Sequence, residues 1–158
     1  MTEQEKRKKR CCFTGHRPQK LCRSESEIKR ELKIAIARGY STFITGMAYG
    51  VDIWAGEIIV RLREDNPDLH LIAAIPFPDF CNRWSSEWKR QYNELLSKVD
   101  FVKFICSSYN AEAYQRRNEW MVDHSDQVIV VFNGEKSGTK NTIDYAKKCE
   151  IQIVVIEA

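Results

Sequence analysis

The chain has 158 residues, a length that suits a single domain with a substantial core. Its 25 Lys and Arg residues outnumber its 22 Asp and Glu residues, but five of the basic and two of the acidic residues lie within the first ten positions. The chain from Cys11 onward is therefore electrically balanced, which argues against a large nucleic-acid-binding surface.

Residues 1–10 are rich in lysine and arginine, and we predict a basic disordered tail there, followed by one domain that spans residues 11–158. No apolar run approaches the ~20 residues that a membrane-spanning helix needs. The first ten residues also lack the apolar stretch of a signal peptide. These patterns predict a cytoplasmic protein that has no membrane partner.

The six cysteines show no C-x-x-C pair and no cysteine–histidine spacing typical of a metal site. In a reducing compartment such cysteines are mostly buried, small apolar residues. We therefore expect neither disulfides nor a metal site. The six are Cys11, Cys12, Cys22, Cys81, Cys106 and Cys149.

Three strands are predicted in the first half of the chain. Residues 11–14, 42–45 and 69–75 are short apolar runs, and each stops at or near a glycine or proline. Residues 24–27 have the S-x-x-E form of a capping box, which predicts a helix that Gly39 terminates.

The clearest amphipathic helix follows the second strand. Apolar side chains recur there at i, i+3, i+4, i+7, i+8 and i+11 from Val51 to Leu62. Further helices are predicted from Trp84 to Val99 and from about Ala111. Fourth, fifth and sixth strands are predicted at residues 101–106, 128–132 and 151–156, with a helix after the fifth.

Apolar strands that alternate with helices predict an α/β domain. We expect three layers, in which a mainly parallel sheet of about six strands is covered by helices on both faces. Right-handed crossovers place the loop that leaves each strand at one edge of the sheet, where ligands of open α/β sheets bind.

The loop after the fifth strand is the strongest candidate for an anion site. It passes Gly134 and reaches Ser137-Gly138-Thr139, where the next helix begins. The first N–H groups of a helix have no intrahelical acceptor and lie at the positive end of its dipole. A phosphate is therefore expected here, with Thr139 and Thr142 as hydroxyl donors.

Polar and glycine-rich loops also follow the first and second strands. His16 and Arg17 either present an imidazole and a guanidinium to a phosphate or belong to a tight turn; we favour the site, because arginine pairs bidentately with oxyanions. Gly46 and Gly50 either admit a ligand to the backbone or relieve a crowded turn. Asp52 either contacts a ribose or takes part in catalysis, or is a carboxylate favoured by the helix dipole.

Three residues of the predicted helices have competing interpretations. Arg117 is favoured as a phosphate or base contact over a surface ion pair, whereas the neighbouring Arg116 is expected to be solvated. Trp84 and Trp88 are spaced to stack a base. Their apolar neighbours favour a core or interface position instead.

Four segments in this order resemble the YpsA-like family of the SLOG superfamily, which also contains the DNA-processing protein DprA and the lonely-guy hydrolases. The resemblance covers about residues 11–156 and implies a Rossmann-like fold that binds a nucleotide or a nucleotide-derived ligand. The segments are Phe13-Thr14-Gly15-His16-Arg17-Pro18, Gly46-Met47-Ala48-x-Gly50-Val51-Asp52, Arg117-Asn118-x-x-Met121-Val122 and Ser137-Gly138-Thr139-x-Asn141-Thr142.

The lonely-guy hydrolases carry two glutamates after their P-G-G-x-G-T loop. Asn141 and Thr142 take those places here, and neither serves as a general base. Glycosidic cleavage needs charge stabilisation at the ribose as well as phosphate binding. An efficient enzyme is therefore not favoured, with Asp52 or Glu119 as the candidate substitutes.

The leading hypothesis is a sensor or regulatory protein that binds a nucleotide or an ADP-ribose-like ligand. The alternatives are a nucleotide N-glycosidic or phosphate-bond hydrolase and a DprA-like single-stranded DNA-binding protein. A homodimer is compatible with the chain, because two-fold dimers are the commonest oligomers. The predicted ligand-binding residues are Gly15, His16, Arg17, Gly46, Met47, Ala48, Gly50, Asp52, Arg117, Asn118, Gly134, Ser137, Gly138, Thr139 and Thr142.

Overall fold

Strands and helices alternate along the chain in a computed structural model that describes residues 1–15 and 25–157. The described strands are β1 (Arg10–Gly15), β2 (Thr42–Thr45), β3 (His70–Ile75), β4 (Phe101–Phe104), β5 (Gln127–Phe132) and β6 (Gln152–Glu157). The described helices are α1 (Glu3–Arg7), α2 (Glu25–Ala37), α3 (Val51–Arg63), α4 (Ser86–Leu96), α5 (Ala113–Asp123) and α6 (Gly138–Lys148).

All neighbouring strands of the sheet are parallel, in the order β4-β3-β2-β1-β5-β6. The chain moves outward from β1 to β4 and then returns to place β5 on the other side of β1. The strand order therefore reverses between β1 and β5. A reversal of this kind opens a crevice at the carboxyl ends of the two strands, where open α/β sheets bind ligands.

Helices cover both faces of the sheet, and the alternation of side chains along each strand separates two cores. Phe13 of β1 packs in the core that holds apolar residues of α2, α3 and α4. The preceding Cys12 faces the opposite core, which holds Met121 of α5 and Ile143 of α6. The prediction of an α/β, Rossmann-like three-layer domain is confirmed, and the predicted strands lie within about two residues of the observed ones.

The basic segment 1–10 contains a short helix where the sequence predicts a disordered tail. Thr2 and Glu5 form a reciprocal capping box at the start of α1. The side chain of Arg7 donates to the carbonyl of Ser125 at 3.0 Å, and Arg10 is the first residue of β1. Capping and this contact to the domain order a segment whose composition alone indicates only charge.

The cysteines in the described residues are free thiols. Cys11, Cys12 and Cys106 are buried, and burial raises the pKa of the Cys12 thiol to about 12. Cys22 lies outside the described residues. No group of three or more metal-binding side chains occurs among residues 1–15 and 25–157, and none of the helices there is both long and apolar enough to span a bilayer.

Gly15 allows α3 to pack directly on the end of β1. A Cβ built on Gly15 would lie 2.5 Å from Cγ2 and 2.8 Å from Cβ of the buried Val51, the first residue of α3. The Cβ of Val51 moves only with its backbone, so a side chain at position 15 forces the helix away from the strand. This close approach places the N-terminal turn of α3 at the sheet edge.

We expect Gly15→Ala to lower the free energy of unfolding by about 1–3 kcal/mol, the usual cost of overpacking a core. Gly56→Ala is the matched control: its Cβ would also meet an atom at 2.8 Å, but that atom is Cδ2 at the flexible end of Leu95. Alanine is also about 1 kcal/mol more favourable than glycine in a helix interior, which offsets part of the cost in Gly56→Ala. Urea unfolding of both variants measures the difference, and equal losses would contradict this account.

Candidate functional site

A cavity of about 260 Å³ opens at the point where the strand order reverses. Four separate parts of the chain form its wall: the end of β1, the loop from β2 into α3, one face of α5 and the first residues of α6. The lining residues are Thr14, Gly15, Ala48, Asp52, Tyr114, Arg117, Asn118, Ser137, Gly138 and Thr139.

The N-terminus of α6 forms one end of this cavity. Ser137 is the N-cap residue, and its hydroxyl oxygen accepts a hydrogen bond from the N–H of Lys140 at 3.2 Å. The N–H groups of Gly138 and Thr139 precede that position and have no acceptor within their own helix. The positive end of the helix dipole therefore faces a cavity that is large enough for a tetrahedral anion.

The loop from β2 to α3 holds a carboxylate at the cavity wall. Asp52 is 4% exposed, and its Oδ2 accepts from the N–H of Ala48 at 3.2 Å. The hydroxyl of Thr45 donates to the Asp52 carbonyl at 2.9 Å and accepts from the N–H of Met47. Met47 itself has a φ of 60°, a left-handed conformation that non-glycine residues seldom adopt. Such backbone strain is concentrated at functional sites.

Arg117 brings a buried positive charge to the same wall. Its guanidinium donates through Nη1 to the carbonyl of Gly46 and through Nε to Oδ1 of Asn118 at 2.8 Å. Its Cζ lies 5.6 Å from the ring centroid of Phe80, within cation–π range. Three groups on different elements thus hold one arginine in a single orientation.

Gly46 is the point at which the two charged residues converge. A Cβ at this position would lie 2.8 Å from Oδ2 of Asp52 and 2.9 Å from Nη1 of Arg117. The absence of a side chain at Gly46 therefore allows the carboxylate and the guanidinium to occupy the same corner of the cavity. The sequence leaves open whether Gly46 has a packing role, and this geometry shows that it has one.

Three other polar side chains of the wall are buried and carry unused hydrogen-bonding capacity. Thr14, Asn118 and Thr139 are 8%, 7% and 6% exposed. In the described part of the chain we find no hydrogen-bond partner for either threonine hydroxyl or for Nδ2 of Asn118. In the described residues, the side-chain atoms that are completely buried without a partner are Oγ of Ser125 and Oε1 of Gln127, so the three groups of the wall keep access to solvent through the cavity. Three such groups around one cavity are available to a polar ligand.

A model of the YspA SLOG family matches residues 11–156. The chain belongs to the YspA SLOG family. It is 35% identical over 118 residues to the uncharacterized SPbeta prophage-derived protein YoqJ of Bacillus subtilis, a match that covers 67% of this chain and 69% of that protein. It is 31% identical over 133 residues to a UPF0398 protein of Levilactobacillus brevis, with 83% and 70% covered.

Solved structures share the fold of this SLOG chain at low sequence identity. The DNA processing protein A of Helicobacter pylori, whose structure is described as showing single-stranded DNA binding, has a TM-score of 0.68 at 19% identity, with 97% of this chain and 66% of that one covered. The DprA of Streptococcus pneumoniae has a TM-score of 0.66 at 14% identity. The match covers 96% of this chain but only about half, 51%, of that protein.

The molybdenum cofactor carrier protein of Chlamydomonas reinhardtii gives a TM-score of 0.60 at 19% identity, with 94% of this chain and 76% of that one covered. At these identities the likeness of all three structures establishes the fold alone.

The SLOG motifs converge in space to different degrees. Eight of the predicted ligand-binding residues line the cavity: Gly15, Ala48, Asp52, Arg117, Asn118, Ser137, Gly138 and Thr139. Gly46, Met47 and Gly50 lie in the loop behind its wall, and Gly50 precedes α3 as its N-cap residue. Gly134 is exposed and does not line the cavity, and the hydroxyl of the buried Thr142 donates to the carbonyl of Gly138 at 3.0 Å. His16 and Arg17 lie outside the described residues.

Two lining residues, Thr14 and Tyr114, are absent from the predicted set. Thr14 precedes Gly15 at the end of β1, so its place in the first motif is the signal that identifies it. Tyr114 lies three residues before Arg117 and four before Asn118, and this spacing puts it on the same face of α5. Helical periodicity from Arg117 is therefore sufficient to find it.

The two candidate substitutes for the glutamates of the lonely-guy hydrolases, Asp52 and Glu119, lie in different places relative to the cavity. Asp52 lines the cavity, whereas Glu119 accepts a hydrogen bond from Gln115 at 2.9 Å and is not among the lining residues. Asn141 is exposed and lies on the outer groove beside Gln115 and Tyr145. Asp52 is thus the lining residue that carries a carboxylate.

Trp84 and Trp88 do not line the cavity. Both pack against the core, and Trp84 has its ring 5.2 Å from Tyr49 and 5.5 Å from Tyr92 in edge-to-face contacts. Edge-to-face pairs add about 0.5–1.5 kcal/mol each beyond area burial. Both tryptophans are half-buried and pack against the core, as the favoured interpretation of a core or interface position predicts.

Proposed function

We propose that this chain binds a phosphorylated, nucleotide-type small molecule in the cavity between β1 and β5. The observation that carries the proposal is a set of three largely buried side chains, Thr14, Asn118 and Thr139, each with a polar group that opens to the cavity beside the N-terminus of α6. A ligand that supplies several acceptor oxygens accepts hydrogen bonds from all three groups together.

The phosphate is assigned to the end of the cavity formed by α6. There the N–H groups of Gly138 and Thr139, the hydroxyl of Thr139 and Nδ2 of Asn118 donate to its oxygens. Among the described residues outside α6, the neighbour of a Cβ built on Gly138 is Nδ2 of Asn118, at 4.0 Å, so this part of the chain leaves the space above the turn open. His16 and Arg17 remain candidates for further phosphate contacts.

Arg117 and Asp52 are assigned to the next part of the ligand. The guanidinium is fixed behind the wall and contributes positive charge in a site with little solvent, where Coulomb interactions are strong. The carboxylate of Asp52 is suited to accept from a ribose hydroxyl, as acidic residues do in dinucleotide-binding folds. These assignments together define a nucleotide-type ligand rather than a free anion.

A sensor or regulatory role fits this site better than efficient catalysis. The paired glutamates of the lonely-guy hydrolases are replaced by Asn141 and Thr142, of which one is exposed and one is hydrogen-bonded within α6. Binding a ligand to the folded state alone stabilises the fold and rigidifies the elements that meet at the cavity. Such coupling is what a ligand-responsive regulator needs.

Thermal unfolding in the presence of inorganic phosphate, ribose 5-phosphate, AMP and ADP-ribose tests the proposal. A ligand at 100 times its dissociation constant is expected to add ~2.7 kcal/mol of stability, or roughly 5–10 °C in Tm for a domain of this size. Sodium chloride at matched ionic strength is the control. The absence of any shift at millimolar ligand would contradict the proposal.

The variant Thr139→Val gives a sharper version of the same test. Valine preserves the shape of threonine but lacks the hydroxyl, so we expect affinity for every phosphorylated ligand to fall about ten-fold, the equivalent of one hydrogen bond to a charged group. Thr42→Val is the control, because Thr42 begins β2 at the opposite edge of the sheet. Unchanged affinity in Thr139→Val would contradict the assignment of the phosphate to the α6 end of the cavity.

The buried carboxylate of Asp52 supports a second candidate function, hydrolysis of the N-glycosidic or phosphate bond. A carboxylate at the cavity wall is able to stabilise an oxocarbenium-like transition state or to activate water. Incubation with nucleoside monophosphates, followed by chromatography for free base and free phosphate, measures this activity. Turnover that persists unchanged in Asp52→Asn would exclude Asp52 as the catalytic group.

A further inference from the structure

An aromatic cluster extends from the core to the mouth of the cavity. Phe77 and Phe80 are 6% and 5% exposed and form its centre, with ring centroids 5.9 Å apart in an edge-to-face arrangement. Trp84 continues the cluster inward at 5.0 Å from Phe80. Tyr109 and Tyr114 continue it outward, at 5.5 and 5.8 Å from Phe77.

The two tyrosines differ from the rest of the cluster in their exposure. Tyr109 is 66% exposed and Tyr114 is 38% exposed, although each ring meets the buried Phe77 almost at right angles. Tyr114 also packs on Phe80 at 5.8 Å, and it alone of the pair lines the cavity. A ring held by two buried phenylalanines and still open to solvent is a preformed surface for another ring.

Tyr114 lies on the same face of α5 as two polar residues of the site. It precedes Arg117 and Asn118 by three and four residues, so all three occupy one face of α5 over about one turn. Asn118 in turn reaches the N-terminus of α6, since its Nδ2 lies 4.0 Å from the Cβ position of Gly138. The order along the cavity is therefore an aromatic ring, then a guanidinium and amide, then a phosphate-binding helix terminus.

From this order we infer that Tyr114 stacks the base of a mononucleotide whose phosphate lies at α6. The inference rests on the proposed function and narrows it in two ways. The cavity of about 260 Å³ lies at the small end of ligand sites, which accommodates one nucleotide unit rather than a dinucleotide. The base stacks at the open rim, so its ring is held but its hydrogen-bonding edge is not enclosed.

Recognition at such a rim is tolerant of base identity. Stacking on an aromatic side chain discriminates poorly among bases, because every base has a π-face. The enclosed part of the site contacts only phosphate and sugar. The protein is therefore expected to prefer a nucleoside monophosphate over the corresponding sugar phosphate, while distinguishing little between purine and pyrimidine monophosphates.

Calorimetric titration of the full chain with AMP, CMP and ribose 5-phosphate tests the inference. The wild-type protein is expected to bind both nucleotides roughly 5- to 100-fold more tightly than ribose 5-phosphate, the contribution of one stacked base. Tyr114→Ala removes this preference and leaves the affinity for ribose 5-phosphate within about two-fold. Tyr114→Phe keeps the preference, because the ring and not the hydroxyl supports the base.

Tyr109→Ala is the matched control, since Tyr109 packs on the same Phe77 but does not line the cavity; its ligand affinities are expected to equal those of the wild type. Equal wild-type affinity for AMP and ribose 5-phosphate, or an equal loss for both ligands in Tyr114→Ala, would overturn the stacking role and leave the phosphate site intact. Failure of the wild type to bind any of the three would overturn the proposed function itself, and this inference with it.

Discussion

Replacing Arg117 with methionine is expected to abolish ligand binding and to lower the stability of the fold by about 3 kcal/mol. Arg117 is 7% exposed, and its guanidinium donates to the carbonyl of Gly46 and to Oδ1 of Asn118. Its loss leaves both acceptors without this donor and removes a positive charge next to the buried carboxylate of Asp52. Hydrogen bonds to charged groups contribute about 1.5–3 kcal/mol each, so the two losses account for the expected effect.

Arg117→Lys distinguishes the contribution of the positive charge at position 117 from that of the hydrogen-bonding geometry of the guanidinium. Lysine keeps the positive charge, but its single ammonium lacks the planar fork that reaches two acceptors on different elements. We expect a smaller loss of stability and an affinity for ribose 5-phosphate that is reduced more than ten-fold. Urea unfolding and calorimetric titration measure the two quantities.

The neighbouring Arg116→Met is the matched control for both variants. Arg116 is exposed, and its Nη1 lies 3.5 Å from the Sγ of Cys106. Surface substitutions of this kind usually change stability by less than about 0.5 kcal/mol. Equal losses of stability and binding in Arg116→Met and Arg117→Met would contradict a specific role for the buried guanidinium of Arg117.

The second large effect is expected for Gly46→Ala. The new methyl group would lie 2.8 Å from Oδ2 of Asp52 and 2.9 Å from Nη1 of Arg117, so at least one of the two charged groups has to move. Overpacking of this kind costs about 1–3 kcal/mol. Because both displaced groups belong to the cavity wall, we expect ligand binding to be lost as well.

Gly138→Ala is the control for this variant because it adds the same methyl group at another part of the cavity wall. Its nearest neighbour would be Nδ2 of Asn118 at 4.0 Å, and we expect the free energy of unfolding to stay within about 0.5 kcal/mol of the wild type. Chemical denaturation of both variants measures the contrast in stability, and phosphate titration of Gly46→Ala measures the loss of binding. A Gly46→Ala protein with wild-type stability and binding would contradict the convergence of charges at this glycine.

Most of the architecture was predictable because it depends on local periodicity. The apolar runs that end at Thr14, Thr45 and Phe132 are buried strands, and the i, i+3, i+4 pattern from Val51 is the amphipathic helix α3. Alternation of these elements along the chain favours a parallel sheet, whose crossovers bring the strand exits to one edge. The same rule predicts that the turns holding Gly15, Gly46 and Gly138 lie close together. Gly15 and Gly138 line the cavity, and Gly46 lies behind its wall in the loop that leads to Asp52.

Details that depend on several elements at once were not predictable from local pattern. The order of residues 1–10 comes from a capping box and a contact between Arg7 and the carbonyl of Ser125, more than a hundred positions away. The role of Gly46 depends on side chains that arrive from α3 and α5. Helical spacing from Arg117 places Tyr114 on the cavity face, but the packing of its ring on Phe77 and Phe80 comes from outside its own helix.

The sequence by itself determined the class of fold, the family and the edge of the sheet at which a ligand is expected, since each depends on residue types at fixed spacings along one chain. Only the tertiary structure decided which of the nominated residues share a cavity. It also decided that Thr14, Asn118 and Thr139 are largely buried there, with both threonine hydroxyls and Nδ2 of Asn118 lacking a partner among the described residues. Burial and unsatisfied hydrogen bonds arise from the packing of distant segments against one another, and no local pattern specifies them.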